Sequence, residues 1–260
     1  MSPWAGIDDF EGGPQGRRGT GRPSSGVGET VIIEFAGFSG AGKSTLRDLV
    51  AHRFSQLDDI QVLSEGETLQ RIGGASVVSR TDLLRAYSRV AWALPESIRA
   101  WQRYAKRYAR LQQLFRRCPP ASVCLLDEGV FQLIVGLCVK SRRARMGTIA
   151  PLLLRGIACP DLLCFVDAPV HVAEARMQAR GRPSDDKTFT KREISVIDDL
   201  KATLHSLGER ATNLNVMTLE AGSDWNVEAI AESIAAQVKA LLSESRVPDR
   251  SQVSESAPAG

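Results

Sequence analysis

The nine-residue stretch GFSGAGKST, residues 37–45, satisfies the spacing G-x-x-x-x-G-K-[ST] in full. It directly follows the apolar run VIIEFA, residues 31–36, and precedes apolar residues at three- and four-residue spacing. A strand, this loop and a helix are therefore predicted in that order, an arrangement in which backbone N–H groups surround a phosphate. We predict a nucleotide-binding loop made of Gly37, Phe38, Ser39, Gly40, Ala41, Gly42, Lys43, Ser44 and Thr45.

The residue types in this loop are those that phosphate binding requires. Glycines let successive backbone N–H groups turn toward phosphate oxygens, and the start of the following helix adds the positive end of its dipole. Lys43 supplies a cation for the β- and γ-phosphates, and the Ser44 hydroxyl supplies a ligand for magnesium. A chance glycine-rich turn is the alternative, but the complete spacing between a strand and a helix argues against it.

A carboxylate is expected to complete the site at the end of a neighbouring strand. The apolar run Val123–Leu126 is followed by Asp127 and Glu128. Because the carboxyl ends of parallel strands meet at one edge of a sheet, we predict Asp127 as the second magnesium ligand, directly or through water, with Glu128 beside it. A pair of surface acids that closes a strand is the alternative.

Short apolar runs alternate with longer helical patterns along the chain. Five near-continuous apolar runs predict strands that are buried on both faces: Val31–Ala36, Ile60–Leu63, Val123–Leu126, Leu162–Val166 and Leu214–Leu219. This alternation predicts an α/β fold with helices on both faces of a parallel sheet. The stretches Thr81–Cys118 and Gly129–Pro151 are longer than plain crossovers, so they predict a helical subregion beside the sheet.

Both ends of the 260-residue chain differ in composition from its middle. Residues 1–28 are rich in glycine and have no apolar periodicity, and residues 244–260 are polar. We therefore predict a disordered leader over residues 1–28, one folded domain over residues 29–243 and a disordered tail over residues 244–260. A domain of that length can bury a substantial core.

Charge and hydropathy exclude several classes of protein. With 33 basic and 30 acidic residues, the net charge of +3 argues neither for nor against nucleic acid as a partner, and we expect no specific nucleic-acid binding. The longest near-apolar run, Phe131–Val139, has nine residues, far fewer than the ~20 of a membrane-spanning helix. The N-terminus lacks the pattern of a secretory signal, and the five cysteines include no C-x-x-C pair. We therefore predict a cytoplasmic protein without membrane contact.

An arginine-rich segment bears on whether a phosphoryl group passes to water or to another molecule. Arg176 and Arg180 lie four residues apart on one helical face, and Arg182 follows in a loop marked by Gly181 and Pro183. Three guanidinium groups at a helix end can gather around phosphates and spread the charge of the transition state. A solvated basic face is the alternative. The sequence has neither the LSGGQ-type signature of transport ATPases nor the N-K-x-D motif of regulatory GTPases.

The order of the motifs GFSGAGKST (37–45), LLDEG (125–129), CFVDAP (164–169) and EARMQARGRP (174–183) resembles that of the P-loop nucleoside and nucleotide kinases, with thymidylate kinases similar in layout. The resemblance covers residues 30–242. It implies a three-layer P-loop NTPase fold with a five-stranded parallel sheet in the order 2-3-1-4-5, and a lid over residues 176–190. It also implies ATP with Mg²⁺, a small-molecule acceptor held by the helices between strands two and three, and it permits a homodimer.

The same resemblance implies an acceptor-side base after the second strand. Nucleoside kinases of this type place a carboxylate there to accept the hydroxyl proton, and Glu65 stands at that point of the sequence. A loop acid without a catalytic function is the alternative. Thymidylate kinases carry Asp-Arg where this chain has Asp127-Glu128, so the arginine that meets the acceptor phosphate is missing from that position.

The segment Ser97–Cys118 is predicted to be an amphipathic helix beside this acceptor region. One face carries an apolar stripe of Trp101, Tyr104, Tyr108, Leu111 and Phe115. Nearly opposite lies a basic stripe of Arg99, Arg103, Arg107 and Arg110. Helical geometry predicts that the apolar stripe belongs to the core and that the basic stripe is solvated, with phosphate contact as the alternative.

These patterns predict an ATP-dependent phosphotransferase, a kinase that moves the γ-phosphate of ATP to a small hydroxyl- or phosphate-bearing acceptor, with a nucleoside or nucleotide preferred. Its expected catalytic residues are Lys43, Glu65, Asp127, Glu128, Arg176, Arg180 and Arg182. The alternative is a P-loop ATPase or nucleotide switch that hydrolyses ATP to drive a partner, with Glu128 orienting water. A third interpretation is a regulatory module without catalysis, against which the intact phosphate loop and the carboxylate after the third strand argue.

Overall fold

A computed structural model of the chain describes residues 30–56, 60–73, 78–91, 98–120, 122–141, 145–154, 159–181, 189–209, 214–222 and 224–244. The predicted leader over residues 1–28 lies outside the described residues, as do residues 245–260 of the predicted tail. Glu244, which we assigned to the tail, is the last residue of a helix, so the helical region extends one residue beyond the predicted domain.

A five-stranded parallel sheet forms the centre of the molecule. Its strands are β1 (Val31–Gly37), β2 (Gln61–Ser64), β3 (Ser122–Leu126), β4 (Leu162–Asp167) and β5 (Asn215–Glu220). They are ordered β2-β3-β1-β4-β5, which confirms the order 2-3-1-4-5 that the resemblance implied. Every strand lies within one residue of its predicted bounds, because near-continuous apolar runs between turns are a strong signal for buried parallel strands.

Burial along the strands falls off toward the edges of the sheet. All residues of β1 and β3 are buried. In the edge strand β5, by contrast, only Leu219 is buried. The expectation that all five strands are buried on both faces is therefore wrong for the edges, where a strand has only one neighbouring strand.

Helices connect the strands and cover the sheet in two groups. Their bounds are α1 (Lys43–Ser55), α2 (Glu65–Arg71), α3 (Arg80–Ala91), α4 (Ile98–Arg117), α5 (Val130–Lys140), α6 (Met146–Leu154), α7 (Val170–Ala179), α8 (Lys191–Glu209) and α9 (Val227–Glu244). Helices α1 and α9 pack against each other and against β1. Helix α5 also packs on β1 and is surrounded by α4, α6 and α8. The predicted helical subregion therefore corresponds to α3 through α6.

The amphipathic pattern of α4 explains why this long helix packs against the domain. Tyr108, Leu111 and Phe115 are buried, while Trp101 and Tyr104 are half-buried, so the predicted apolar stripe is confirmed as core. The Tyr108 hydroxyl donates to the backbone carbonyl of Leu153 in α6 at 3.1 Å, which satisfies its one polar atom inside the core. Among the described residues, none of the helices combines the length and the apolar character that crossing a membrane requires.

Candidate active site

The predicted phosphate loop lies between the end of β1 and the start of α1, at the carboxyl edge of the sheet. All three of its glycines, Gly37, Gly40 and Gly42, have positive φ and too little space for a Cβ. Gly40 has φ +79°, and a Cβ there would lie 2.3 Å from the carbonyl oxygen of Ala173. Gly42 has φ +104°, and a Cβ there would lie 2.6 Å from the ring of Trp225. Neither position accepts a side chain without movement, because positive φ strains L-residues and both spaces are filled.

Lys43 is folded back over the loop. Its Nζ donates to the backbone carbonyls of Gly37 at 2.9 Å and Phe38 at 2.7 Å. Burial of the amine lowers the pKa of Lys43 to about 8, and the charges of Asp127 and Glu128 partly oppose that effect. An ammonium held at this point can donate to phosphate oxygens in the loop, as the sequence predicts.

The first turn of α1 presents polar groups that the protein itself leaves available. Gly42 stands at the N-cap position and provides no side-chain hydrogen bond to the helix. The first N–H groups of a helix have no partner within it, and they form the positive end of its dipole. Ser44 and Thr45, which open the helix with Lys43, are exposed. This arrangement suits a phosphate group at the helix start.

Asp127 follows β3 directly and lies beside the phosphate loop, because β3 pairs with β1. An ion pair joins it to Arg47 of α1, and the same guanidinium contacts Asp48 at 2.5 Å. Burial raises the pKa of Asp127, and the charge of Arg47 acts in the opposite direction. Arg47 did not figure among the predicted site residues, although it lies four residues after Lys43 and therefore on the same helix face.

The oxygen atoms at this edge fit a magnesium ion. Asp127 Oδ1 is buried and has no hydrogen-bond partner among the described residues, so a metal would satisfy it. Carboxylate and hydroxyl oxygens, here from Asp127 and the exposed Ser44, are hard ligands of the kind that Mg²⁺ prefers. No cluster of three His, Cys, Asp or Glu side chains with metal-binding geometry occurs within the described part of the chain. Such an ion would therefore take its other ligands from phosphate and water.

Glu65 is the first residue of α2 and follows β2 directly. A capping box fixes this helix start: Ser64 Oγ accepts from the Glu67 N–H at 3.3 Å, and Glu67 Oε2 accepts from the Ser64 N–H at 2.8 Å. Burial raises the pKa of Glu65, while the nearby cation Arg107 lowers it. A rigid, half-buried carboxylate at the carboxyl edge of the sheet can accept a proton.

Arg107 of α4 joins two of the predicted site carboxylates. Its Nη2 donates to Glu65 Oε2 at 2.9 Å and lies 3.6 Å from Glu128 Oε2, and it also bonds to the Glu128 backbone carbonyl. The prediction that the whole basic stripe is solvated is therefore wrong for this residue. Arg99, Arg103 and Arg110 are exposed as expected. Arg107 differs because it lies three residues after Tyr104 and four residues before Leu111, both of the apolar stripe, which places it at the border of the buried face.

The arginines of the predicted lid occupy different surroundings. Arg176 donates to the backbone carbonyls of Ala41 at 3.0 Å and Gly222 at 2.6 Å, and its guanidinium lies 5.2 Å from the ring centre of Trp225. It therefore ties the phosphate loop to the segment after β5. Arg180 is exposed at the end of α7, and its charge lowers the pKa of Lys43. Arg182 lies outside the described residues.

The far end of the predicted lid is anchored beside the phosphate loop. The ring of Phe189 packs against that of Phe38 with centroids 4.8 Å apart. The Phe189 N–H also donates to Glu174 Oε1 of α7 at 2.7 Å. Residues 182–188, the middle of the lid, are outside the described part of the chain. The segment predicted as a lid thus begins on α7 and ends next to the phosphate loop, and its function as a lid stays a prediction.

Comparison with known proteins gives similarity of fold at low sequence identity. No family model and no curated protein matches the chain. A thymidylate kinase from Candida albicans superposes with a TM-score of 0.48 and 11% identity, covering 85% of this chain and 94% of that one. Deoxyadenosine kinase from M. mycoides, with dCMP and dCDP bound, superposes with a TM-score of 0.49 and 15% sequence identity, and the match covers 81% of this chain and 100% of that one. The same kinase with dCTP bound has a TM-score of 0.48 and 12% sequence identity, and the match again covers 81% of this chain and 100% of that one. These similarities concern the fold alone.

Proposed function

We propose that the protein is an ATP-dependent phosphotransferase that moves the γ-phosphate of ATP to a small hydroxyl- or phosphate-bearing acceptor, with nucleosides and nucleotides as the preferred class. The observation that carries the proposal is one continuous polar site. The charges of Asp127 and Glu128 act on Lys43 in the phosphate loop and raise its pKa against the effect of burial. Arg107 in turn contacts both Glu128 and Glu65. A phosphate-binding end and a carboxylate end thus meet at the turn after β3.

At the donor end, the loop and Lys43 hold the nucleotide. Backbone N–H groups at the start of α1 and the Lys43 ammonium bind phosphate oxygens and stabilise the charge that grows on them during transfer. Asp127 and Ser44 would hold Mg²⁺, which when bound neutralises charge on the phosphates. Arg176 fixes the loop by its bond to the carbonyl of Ala41, so these donors stay in position.

At the acceptor end, Glu65 is the proposed base. Its half-buried carboxylate accepts the proton of an acceptor hydroxyl as that oxygen attacks the γ-phosphorus of ATP, and the bond from this phosphorus to the β-phosphate oxygen breaks to release ADP. Arg107 orients Glu65 through the 2.9 Å hydrogen bond and keeps the ionised form accessible despite burial. Since two carboxylates already engage Arg107, the charge balance at this end favours a neutral hydroxyl over a second phosphate.

Hydrolysis of ATP to drive a partner is the second candidate function. The carboxylate of Glu128 supports it, because the side chain is 65% exposed and directly follows the proposed metal ligand Asp127. In that case Glu128 orients an attacking water, and Glu65 has no reacting proton to accept. The two functions can therefore be distinguished by the carboxylate that turnover requires, which is Glu65 for the kinase and Glu128 for the ATPase.

Product analysis with γ-labelled ATP tests the proposal. The purified protein is incubated with a panel of nucleosides, nucleotides, sugars and hydroxylated antibiotics, and labelled acceptor is separated from labelled inorganic phosphate. A kinase releases phosphate slowly alone and labels one acceptor class rapidly, and Glu65→Gln abolishes that labelling. Steady hydrolysis that no acceptor changes, and that depends on Glu128, supports the ATPase instead. Lys43→Ala controls for a contaminating enzyme, since it removes either activity.

A further inference from the structure

A glutamate lies in the centre of the sheet, where ionisable side chains are rare. Glu34 is in the middle of β1 and is fully buried. Its neighbours along the strand, Ile33 and Phe35, are buried core residues. An isolated carboxylate in such a place is strongly unfavourable unless hydrogen bonds compensate for lost hydration. Its partners therefore indicate what the side chain does.

The partners of Glu34 are the first backbone N–H groups of α5. Its Oε1 accepts from the N–H of Phe131 at 2.8 Å and of Gln132 at 3.0 Å. Both donors belong to the first turn of a helix, where N–H groups lack helical partners and the dipole favours an acceptor. Burial raises the pKa of Glu34 to about 8, and these backbone bonds oppose the increase. The side chain thus binds the start of α5.

Gly129, the residue before α5, allows this approach. A Cβ at Gly129 would lie 2.3 Å from the carboxyl carbon and from Oε2 of Glu34. Any side chain there would push the turn formed by residues 127–129 away from β1. The turn that carries Asp127 and Glu128 is therefore seated directly on the Glu34 carboxyl group.

Two further contacts connect this group to the phosphate loop. Glu34 of β1 lies opposite Leu126 of β3 in the sheet, and Leu126 directly precedes Asp127. Asp127 is therefore one residue beyond the position of Glu34 along the paired strands. The side-chain oxygen of Gln132 accepts from the N–H of Gly37, the first residue of the loop, at 3.4 Å. Glu34 and Gln132 thus link the strand that leads into the loop, the turn with Asp127, and the loop itself.

We propose that Glu34 is a positioning residue, which holds the turn 127–129 at a fixed separation from the phosphate loop so that Asp127 and the nucleotide phosphates can share one metal ion. Its effect on turnover rests on the proposed function. Its effect on magnesium-dependent nucleotide binding does not, because that binding needs only the loop and Asp127.

Three variants of β1 test the proposal. Glu34→Gln keeps an oxygen acceptor for Phe131 and Gln132, Glu34→Met keeps the length without an acceptor, and Phe35→Leu disturbs the core on the opposite face of the strand. For each, calorimetry gives ATP affinity with and without Mg²⁺, and thermal melting gives Tm. We expect Glu34→Met to raise the Mg²⁺ concentration for half-maximal binding about 10- to 100-fold, as loss of a supporting hydrogen bond typically does. Affinity without metal should change little, and Glu34→Gln should stay within about threefold of the wild type.

A second pair of variants keeps the test valid if Glu34→Met does not fold. Gly129→Ala displaces the turn from the other side and should raise the Mg²⁺ requirement in the same way. Glu34→Ala removes the atoms that the new methyl group would strike. The double variant should therefore be no worse than the poorer single variant, a non-additivity expected of residues in direct contact.

The outcomes separate this proposal from the proposed function. A Glu34→Met protein with lower Tm but wild-type magnesium dependence means that Glu34 only stabilises the core, and the proposal is then wrong. Additive effects of Glu34→Ala and Gly129→Ala also contradict it. If the wild type transfers phosphate to no acceptor, the proposed function fails, whereas the binding measurements still decide about Glu34. Nucleotide binding that ignores Mg²⁺ in the wild type overturns both.

Discussion

Arg107 in α4 donates a 2.9 Å hydrogen bond to Glu65 in α2, and these residues are separated by 42 positions in the chain. The same guanidinium lies 3.6 Å from Glu128 Oε2 in the turn after β3. One cation from the helical subregion therefore joins the ends of β2 and β3. Removing it would leave a half-buried carboxylate without its counter-charge, which disfavours the ionised form of Glu65.

Arg107→Ala should shift the acidic limb of the pH–kcat profile to higher pH. Arg107 lowers the pKa of Glu65 against the effect of burial, so its loss raises that pKa. Glu65 then binds its proton at higher pH and serves as base over a narrower range, and kcat should fall most at low pH. Arg103→Ala, an exposed arginine of the same helix, should leave the profile unchanged. A profile that moves equally in both variants contradicts the assignment of Glu65 as base.

Binding of Mg·ATP should weaken above pH 8. The pKa of Lys43 is lowered to about 8 by burial, whereas bound phosphates favour the charged ammonium and raise it. Binding therefore takes up a proton above pH 8, and affinity should fall about tenfold per pH unit until the pKa of the complex is reached. Calorimetry in buffers of different ionisation enthalpy measures the uptake.

Two variants assign that proton. Lys43→Arg keeps its charge over this range and should bind without proton uptake. Glu34→Gln removes a second buried group that could titrate in this range, because burial raises the pKa of Glu34 to about 8. Proton uptake should persist in the Glu34→Gln variant. Uptake that vanishes in Glu34→Gln and persists in Lys43→Arg would show that Lys43 is not the titrating group.

Lys43→Ala should retain the fold and lose turnover by about 10²-fold or more.

Asp127→Asn should impair magnesium-dependent turnover far more than metal-free ATP binding. The carboxylate oxygen, which is buried and has no hydrogen-bond partner in the described part of the chain, becomes part of a neutral amide, a much weaker ligand for a hard cation. Asp48→Asn is the matched control, because Asp48 also pairs with Arg47 but its side chain is 66% exposed. We expect an activity loss of about 10-fold or more for Asp127→Asn and near-normal activity for Asp48→Asn. Titration of kcat with Mg²⁺ separates a metal defect from a general one, and an unchanged titration curve excludes Asp127 as a ligand.

Removal of residues 1–28 and 245–260 should change Tm and activity little. Neither segment has apolar periodicity to bury, and the described core begins at the buried residue Thr30 and ends with α9. Melting curves and kinetics of the truncated chain provide the comparison. A large decrease in Tm would mean that one of these segments packs against the domain.

The fold was predictable because its signals are local and mutually consistent. Apolar runs of four to six residues identified all five strands, and the phosphate-loop spacing fixed the junction of β1 and α1. The order of the strands was not available from periodicity and came only from resemblance. Edge burial was missed because the prediction treated residues 214–219 as a near-continuous apolar run, although Asn215, Thr218 and Glu220 of β5 are polar and exposed.

The site was predictable only where one segment carries the chemistry. The loop and the carboxylate after β3 each stand next to a strand, so sequence places them. Arg47, Arg107 and Glu34 act across elements, and their partners lie 80, 42 and 97 positions away. Glu34 did leave a local signal, a charged residue within an apolar strand. Such a residue is buried only when something pairs with it, which is a useful criterion for similar sequences.

The lid arginines should separate into two functional classes. Arg176 bonds to the backbone of the phosphate loop and of the segment after β5, so Arg176→Ala should weaken ATP binding and lower Tm. Arg180 is exposed and near enough to Lys43 to affect its pKa, which suits a group that reaches the phosphates when the lid closes. Calorimetry and melting curves of Arg176→Ala, beside the kinetics of an Arg180→Ala, Arg182→Ala double variant, distinguish the classes.

In a kinase, the double variant should lose phosphoryl transfer by about 10²-fold or more while ATP affinity changes less than tenfold, because its arginines act on transition-state charge in a site closed to water. Protection of residues 176–190 from proteolysis should then require both substrates or a bisubstrate analogue. Arg99→Ala with Arg110→Ala, two exposed arginines of α4, controls for the loss of two positive charges and should transfer normally. Protection by ATP alone, with normal transfer in the lid variant, would instead assign these arginines to a solvated face and remove the lid from the mechanism.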